Sequence, residues 1–355
     1  MKRIAALITG ILLACGLVAG TAGPAAADTW RSLKGPTLLP PSAVQHAAAS
    51  APDNLWTSGL ETIKCDPVCD EVGETGKPFL RQWNGAKWID HRPAGLLPAH
   101  IRAIKALSPA DVWIAGGRNS PLIAHWDGTA WSSPPLPLEP TGVWTTVEAR
   151  PDAVWVAANT RDEGLIYRRA GGQWLVTRLP GLTVHQIVSR SATDVWALAA
   201  TRWDPAYSGD VNTLLRSTDG RTWQQVSVPG LTSASRLTGL AVSGGSEVWL
   251  SGRNGTAGFL KRFDGSAWQD VADPAGFGGG RALAADANGA VWTVGGNKIH
   301  RYQGGAWTEF AAPLSGTTRD VILREVTVVP GTSQVYAVGQ GLGLVAQGPY
   351  IATNG

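Results

Sequence analysis

"DVWIAGGRNSPLIAHWDGTAWSSPP", Asp111 to Pro135, carries the pattern that decides the fold. Apolar residues alternate with polar or small ones in the period of two that belongs to strands, not in the 3.6 period of helices. With the preceding text, four short strands emerge: "IRAIKAL", "VWIAGG", "LIAHWD" and "AWSSPP". They are separated by "SPAD", a short loop and "DGT". Asp-Gly ahead of the last strand suits a tight hairpin turn, which needs a residue tolerant of positive φ.

Two signals in this stretch recur along the chain. An apolar residue followed by an aromatic one, usually after Asp, Asn or Glu, appears seven times, at Trp56, Trp113, Trp155, Trp196, Trp249, Trp292 and Tyr336. A glycine three residues ahead of a tryptophan appears six times, at Trp88, Trp131, Trp174, Trp223, Trp268 and Trp307. The seventh copy would follow Gly348, where the chain is about to stop, and "DTW" (Asp28 to Trp30) supplies it from the other end.

Four-strand units at this spacing predict an all-β, seven-bladed β-propeller of four-stranded blades. The ring has to close, because its first and last blades would otherwise present unpaired sheet edges. Residues 28–34 are therefore predicted as the outer strand of a last blade built from "REVTVVP", "VYAVGQ" and "LGLVAQ". Residues 28–355 read as a single domain, about 47 residues to each of seven blades.

"VWIAGG…AHWDGTAWSSPPLP" and "VWTVGG…IHRYQGGAWTEFAAP" resemble kelch repeats: an apolar strand ending in Gly-Gly, then an aromatic, then a tryptophan. The resemblance spans essentially all of residues 28–355, although the Gly-Gly pair stands only at Gly116-Gly117 and Gly295-Gly296. "STDGRTW" (Ser217 to Trp223) resembles the Asp-box of sialidase-type propellers, one residue short between Asp219 and Trp223. The whole is similar to divergent secreted bacterial propellers, a fold that hosts enzymes, lectins and scaffolds alike.

The N-terminus reads as a secretory signal peptide over residues 1–27. Lys2 and Arg3 precede a long apolar run, and Ala25 and Ala27 occupy the small-residue positions ahead of a cleavage site between Ala27 and Asp28. "LLACG" (Leu12 to Gly16) also resembles a bacterial lipoprotein signal, which would leave the protein lipid-anchored through Cys15 instead of freely secreted. Loss of Lys2 and Arg3 leaves 28 basic against 27 acidic residues, a balance that argues against nucleic acid or an anionic membrane as the main partner. No transmembrane span is expected after residue 27. Arginine-rich, Ala- and Gly-rich text with Met1 as its only methionine reads as a GC-rich bacterial source. In an exported chain, Cys65 and Cys69 of "KCDPVCDE" are most simply a disulfide closing a short loop.

Residues recurring at one strand position in every blade are read as inter-blade packing. The informative residues break the pattern. Two insertions fall between second and third strands, in blades one and four. The first, "LETIKCDPVCDEVGETGKP", is acidic and reads as a solvated loop in preference to a calcium site at Asp66, Asp70, Glu71 and Glu74. The second, "TRWDPAYSGDVNT", places Trp203, Asp204, Tyr207 and Asp210 together as a ligand-binding platform, since loops held over a rigid scaffold commonly carry function. No catalytic residue, metal site or cofactor is assigned: the six histidines lack metal-ligand spacing, and no nucleophile elbow, Walker loop or HExxH occurs. His125 and His300, on predicted third strands, read as packed or surface residues. The expected function is a monomeric, non-catalytic binding module for a glycan or a cell-surface protein. The alternatives are an extracellular carbohydrate-active enzyme with a site in the central cleft, and a structural envelope protein.

Overall fold

The computed structural model describes residues 29–65, 74–94, 96, 100–117, 121–137, 145–160, 162–201, 211–243, 246–274, 280, 282–344 and 346–355. Among them every regular element is a strand, and the strands form seven four-stranded antiparallel sheets. A short strand, β1 (Arg31–Ser32), precedes blade one: β2 (Ala43–Ala51), β3 (Asn54–Cys65), β4 (Glu74–Trp83) and β5 (Trp88–Asp90). Blade two is β6 (Ile101–Ser108), β7 (Asp111–Gly117), β8 (Pro121–Trp126) and β9 (Trp131–Ser132). Blade three is β10 (Thr145–Arg150), β11 (Ala153–Asn159), β12 (Glu163–Ala170) and β13 (Gln173–Pro180). Blade four is β14 (Thr183–Ser189), β15 (Val195–Ala200), β16 (Val211–Ser217) and β17 (Gln224–Gln225). Blade five is β18 (Ser235–Val242), β19 (Val248–Asn254), β20 (Ala257–Phe263) and β21 (Trp268–Val271). Blade six is β22 (Leu283–Ala285), β23 (Val291–Gly295), β24 (Lys298–Gln303) and β25 (Ala306–Ala311). Blade seven is β26 (Thr318–Val328), β27 (Val335–Gly343) and β28 (Gln347–Thr353), completed by β1.

The first strand of each blade packs on the first strands of its neighbours, and β26 returns to β2, so the seven inner strands line the ring axis. Closure is as expected: β1 pairs antiparallel with β28, Arg31 opposite Thr353 and Ser32 opposite Ala352. Its neighbour Leu33 donates its N–H to the Ile351 carbonyl at 2.9 Å. One boundary differs from the expectation. "LGLVAQ" is the end of β27 and the turn beyond it, and the third strand of blade seven is Gln347–Thr353, with Gly348 inside it opposite Gly341.

The two recurrent signals are halves of one joint. Trp56, Trp113, Trp155, Trp196, Trp249, Trp292 and Tyr336, each 2% exposed or less, sit on second strands, where they fill the wedge between their own blade and the next. The outer-strand tryptophan of that next blade meets them edge-on: Trp131 on Trp56 at 5.9 Å, Trp174 on Trp113 at 6.4 Å, Trp268 on Trp196 at 6.1 Å. Trp30 does the same to Trp292 at 5.8 Å, so the closing strand supplies the seventh copy of the joint as well as the missing sheet edge. On the third strands, Arg168, Arg216, Arg262 and Arg301 lie over the tryptophan of the same blade, and His125 stacks on Trp113 at 4.2 Å. Arg216 and His125 are held there by Asp194 and Asp111, the acids that precede the aromatic signal.

The turns before the outer strands come in two forms. In "DGT" and its relatives the side chain locks the turn: Asp127 accepts from the N–H groups of Thr129 and Ala130 at 2.8 Å and from the Thr129 hydroxyl at 2.7 Å. Asp264 repeats this, and those donors hold both carboxyls down at about 2. Asp219 of the Asp-box-like motif makes the same turn. Blades three and six instead use Gly171-Gly172 and Gly304-Gly305, all at positive φ, in two-residue hairpins. Their outer strands run eight and six residues, against two to four in blades one, two, four and five.

Candidate functional site: the loop-bearing mouth

In an antiparallel four-stranded blade, the second-to-third-strand connection emerges on the same face as the crossing to the next blade. The other two turns emerge on the opposite face. The strand ends that border both insertions, β3 and β4 around residues 66–73 and β15 and β16 around 202–210, therefore lie on one face of the ring. Trp203, Asp204, Tyr207 and Asp210 belong to the second and lie outside the described residues, as do Ala27, Asp28 and Cys69; Cys65 ends β3. Part of the first insertion is not loop at all. It lengthens the hairpin of β3 and β4 past a register shift between Glu61 and Lys64, where Thr62 takes φ 52°.

The inner strands start at this same face, and just inside it five of them carry a β-bulge at one level. The segments are Val44-Gln45-His46-Ala47, Ile101-Arg102-Ala103-Ile104, Val184-His185-Gln186-Ile187, Leu237-Thr238-Gly239-Leu240 and Leu323-Arg324-Glu325-Val326. The flanking residues of every segment are buried, at 0% to 9% exposure. The residue that the ladder skips is polar and half-buried in each: Gln45, Arg102, His185, Thr238 and Arg324. A bulge releases one side chain from the in–out alternation, so each blade keeps its two packing residues and aims a polar one elsewhere. Arg281 stands at the same eleven-residue spacing before Trp292 as Arg102 before Trp113, outside the described residues.

A glycine accompanies the bulge in four of the five blades, while blade four has Ala199 there. Three residues after the aromatic, Gly59, Gly116, Gly252 and Gly339 face the displaced inner backbone. A Cβ on Gly116 would lie 1.9 Å from the His100 carbonyl oxygen, and one on Gly339 would lie 2.0 Å from that of Ile322. Glycine in the strand interior marks close backbone approach here.

The inner strands are joined by polar side chains at this level and the next. His46 Nδ1 lies 3.0 Å from Glu325 Oε2, linking blades one and seven. Gln186 donates to the Leu240 carbonyl and accepts from the Leu240 N–H, both at 3.0 Å, linking blades four and five. Buried Glu148 receives the Lys105 ammonium at 2.8 Å and the Ser189 hydroxyl at 2.7 Å. Charge on these strands is unbalanced: Arg102, Lys105, Arg150, Arg236, Arg319 and Arg324 stand against Glu148, Asp320 and Glu325. Burial pushes the His185 imidazole down to about 4, so it is neutral at neutral pH.

Two clefts flank blade one. The first, of about 190 Å³, is lined by Glu61, Lys77, Arg81, Asp90, His91 and Arg92. Its charges are matched internally: Asp90 accepts from Arg92 at 2.8 Å and from Arg81, and Lys77 donates to Glu61 at 2.8 Å. Burial pushes the Glu61 carboxyl up, but bonds from Lys77 and the Leu39 N–H hold it below its ordinary value. The second, of about 280 Å³, lies between the stretch from Leu38 to Ser42 and the ends of β27 and β28. Among the described residues no three His, Cys, Asp or Glu side chains converge as metal ligands. His125 is packed on Trp113, and His300 is buried.

The bulge ring is legible in the sequence only after the fact. It follows the pattern buried–polar–any–buried near the start of each unit, but periodicity by two hides it, because a bulge breaks that period by one residue.

No protein-family model matches this chain, and no curated protein sequence matches it. Its backbone is similar to several solved propellers. YCF48 bound to D1 peptide aligns with TM-score 0.62 and 15% identity over 91% of this chain and 96% of that one. A catalytically inactive virginiamycin B lyase from Staphylococcus aureus with quinupristin aligns with TM-score 0.64 and 13% identity over 92% and 99%. A GH74 xyloglucanase from Xanthomonas campestris aligns with TM-score 0.56 and 13% identity over 87% of this chain and 53% of that one. At these identities the likeness establishes the propeller fold alone.

Proposed function

We propose that this chain is an exported, non-catalytic binding module with kelch-like repeats, which takes a protein partner at the cell surface on its loop-bearing face. One observation carries the reading: the strand ends that border both insertions and the half-buried polar bulge residues share that face, whereas the described turns of the opposite face are side-chain-locked or two-glycine hairpins. YCF48, which shares the propeller backbone, was solved with a peptide, an example of this fold holding a protein ligand. Trp203, Asp204, Tyr207 and Asp210 form the contact platform in blade four. Cleavage after Ala27 and a Cys65–Cys69 disulfide belong to the same reading, with the module monomeric.

A binding screen of residues 28–355 against surface proteins and glycans, with a Trp203→Ala/Tyr207→Ala variant beside it, tests this. Capture of a protein that the variant holds at least about tenfold more weakly is expected, the loss typical of interface aromatics. Unchanged affinity removes the platform, and a glycan hit without a protein hit replaces the partner class.

An enzymatic reading is favoured by the His46–Glu325 pair, a base-like imidazole oriented by a carboxylate at the mouth. If it held, His46→Ala would abolish turnover of a substrate while leaving its binding intact.

A further inference from the structure

Resting on the reading that the loop-bearing face takes a protein partner, we infer that the partner anchors itself there with a tyrosine or tryptophan side chain, seated in the cleft of blade seven. That cleft, of about 280 Å³, is larger than the ~150 Å³ that holds a benzene ring. It exists because a cross-strand pair is missing. Five residues after the aromatic of the second strand, blade one sets Glu61 opposite Lys77, and the two side chains bond across the strands at 2.8 Å. Blade five sets Asn254 opposite Ala257 at that register. Blade seven sets Gly341 opposite Gly348, and directly opposed residues share a face of the sheet, so neither strand sends a side chain into the space.

The walls fit such a ring. A Cβ on Gly348 would meet nothing within 4 Å, and one on Gly341 would stand 3.3 Å from the Thr318 methyl and 3.4 Å from its hydroxyl. A flat ring can therefore lie on glycine backbone with polar groups at its edge. Gln347 takes the Gln340 Nε2 on its Oε1 at 3.1 Å, which leaves its own NH2 group for a ligand. Ser42, also in the wall, is fully buried, and its hydroxyl has no hydrogen-bond partner among the described residues, a state that costs stability until one arrives. None of the described lining residues is charged, so the site suits a neutral occupant. The surroundings are apolar. Of the five exposed large hydrophobics among the described residues, three adjoin the lining: Leu39 beside Leu38 and Pro40, Leu344 beside Gly343, and Leu314 three residues before Thr317. Exposed leucines gathered at one site mark a surface that a protein covers. A polar-edged pocket among them matches an apolar ring with a hydrogen-bonding tip.

The test uses residues 28–355 with the N-acetyl amides of tryptophan, tyrosine, phenylalanine and leucine, and methyl glucoside as the sugar, read by NMR shifts of the Gly341, Gly343 and Gly348 amides. Tryptophan and tyrosine amides are expected to bind, tyrosine over phenylalanine by roughly two- to tenfold, the worth of one hydrogen bond, and leucine amide more weakly than either. Gly348→Leu fills the cleft from an uncrowded position. It should weaken tyrosine amide at least about tenfold, the loss typical of a displaced aromatic anchor, with thermal unfolding unchanged. Thr318→Val/Gln347→Leu should erase the preference for tyrosine over phenylalanine while phenylalanine amide still binds, a result that a misfolded variant cannot show. Equal tyrosine amide binding by wild type and Gly348→Leu overturns the inference, as does a tyrosine preference left intact in the double variant. Leucine amide or methyl glucoside binding in place of the aromatic amides overturns it too. The two readings fail separately. A surface protein held equally well by wild type and Gly348→Leu leaves the binding face standing and removes the anchor. Gly348-dependent tyrosine amide binding with no surface protein captured does the reverse.

Discussion

Trp196 shows how a single residue holds two blades. It is buried between Trp268 at 6.1 Å and Arg216, whose guanidinium lies 4.8 Å from the ring and is fixed by Asp194. Trp196→Ala is expected to cost about 3–5 kcal/mol, the range for large-to-small core substitutions, and Trp196→Phe less, both read from denaturant or thermal unfolding. Gly116 answers to a different constraint. Gly116→Ala drives a Cβ into the His100 carbonyl and should lower the melting temperature, although Ala158 in bulge-free blade three and Ala199 in bulged blade four occupy the equivalent position. His91 titrates. It accepts from Trp131 Nε1 at 3.2 Å, shares a 2.9 Å bond with Gln82, and burial pushes it down to about 4. The unfolded chain binds the proton first, near the ordinary histidine value of about 6.5, so this contribution is complete above that pH and is lost as pH falls toward 4. Comparing stability at pH 7 and pH 5, His91→Gln should show the smaller fall. At this scale the sequence identified the packing tryptophans by recurrence. It did not show which outer-strand tryptophan meets which, because the partner lies in the next blade.

Among elements, the closing strand is the sharpest case. Counting seven copies of one signal against six of the other located it, since a missing strand in a closed ring has to come from somewhere. β1 has two residues in its ladder, yet it is tied by Leu33 to Ile351, by Ser32 to Ser315 at 3.0 Å, and by Trp30 to blade six. Leu33→Pro removes the N–H that bonds Ile351. It should lower stability more than a proline at exposed Leu344, outside this seam, with selective loss of hydrogen-exchange protection in β28. The third strand of blade seven escaped the sequence reading for a local reason: "GLGLVAQG" alternates through three glycines. β27 therefore overruns into text that reads as a strand of its own, and the pairing of Leu342 with Gln347 puts the turn inside it. Bulges escaped for a related reason, since their extra residue is visible only against the partner strand.

For the molecule as a whole, the ring divides the labour between its faces. Repeated acids and paired glycines build one face the same way from blade to blade. On the other, five inner strands carry bulges whose skipped residues differ in charge, and the strand ends that border the two long insertions lie at the same face. Fold was legible because repetition enforces it seven times over. The candidate site was legible only in part, since it lies where the repeats stop agreeing and where side chains from separate blades meet. Hydrogen exchange on residues 28–355, alone and saturated with the surface protein that the screen captures, tests the central claim directly. The expected result is protection gained at residues 43–47, 101–104 and 323–326 of the loop-bearing mouth, with none at the turns 127–130 and 264–267. Protection at those turns and none at the mouth would contradict the account.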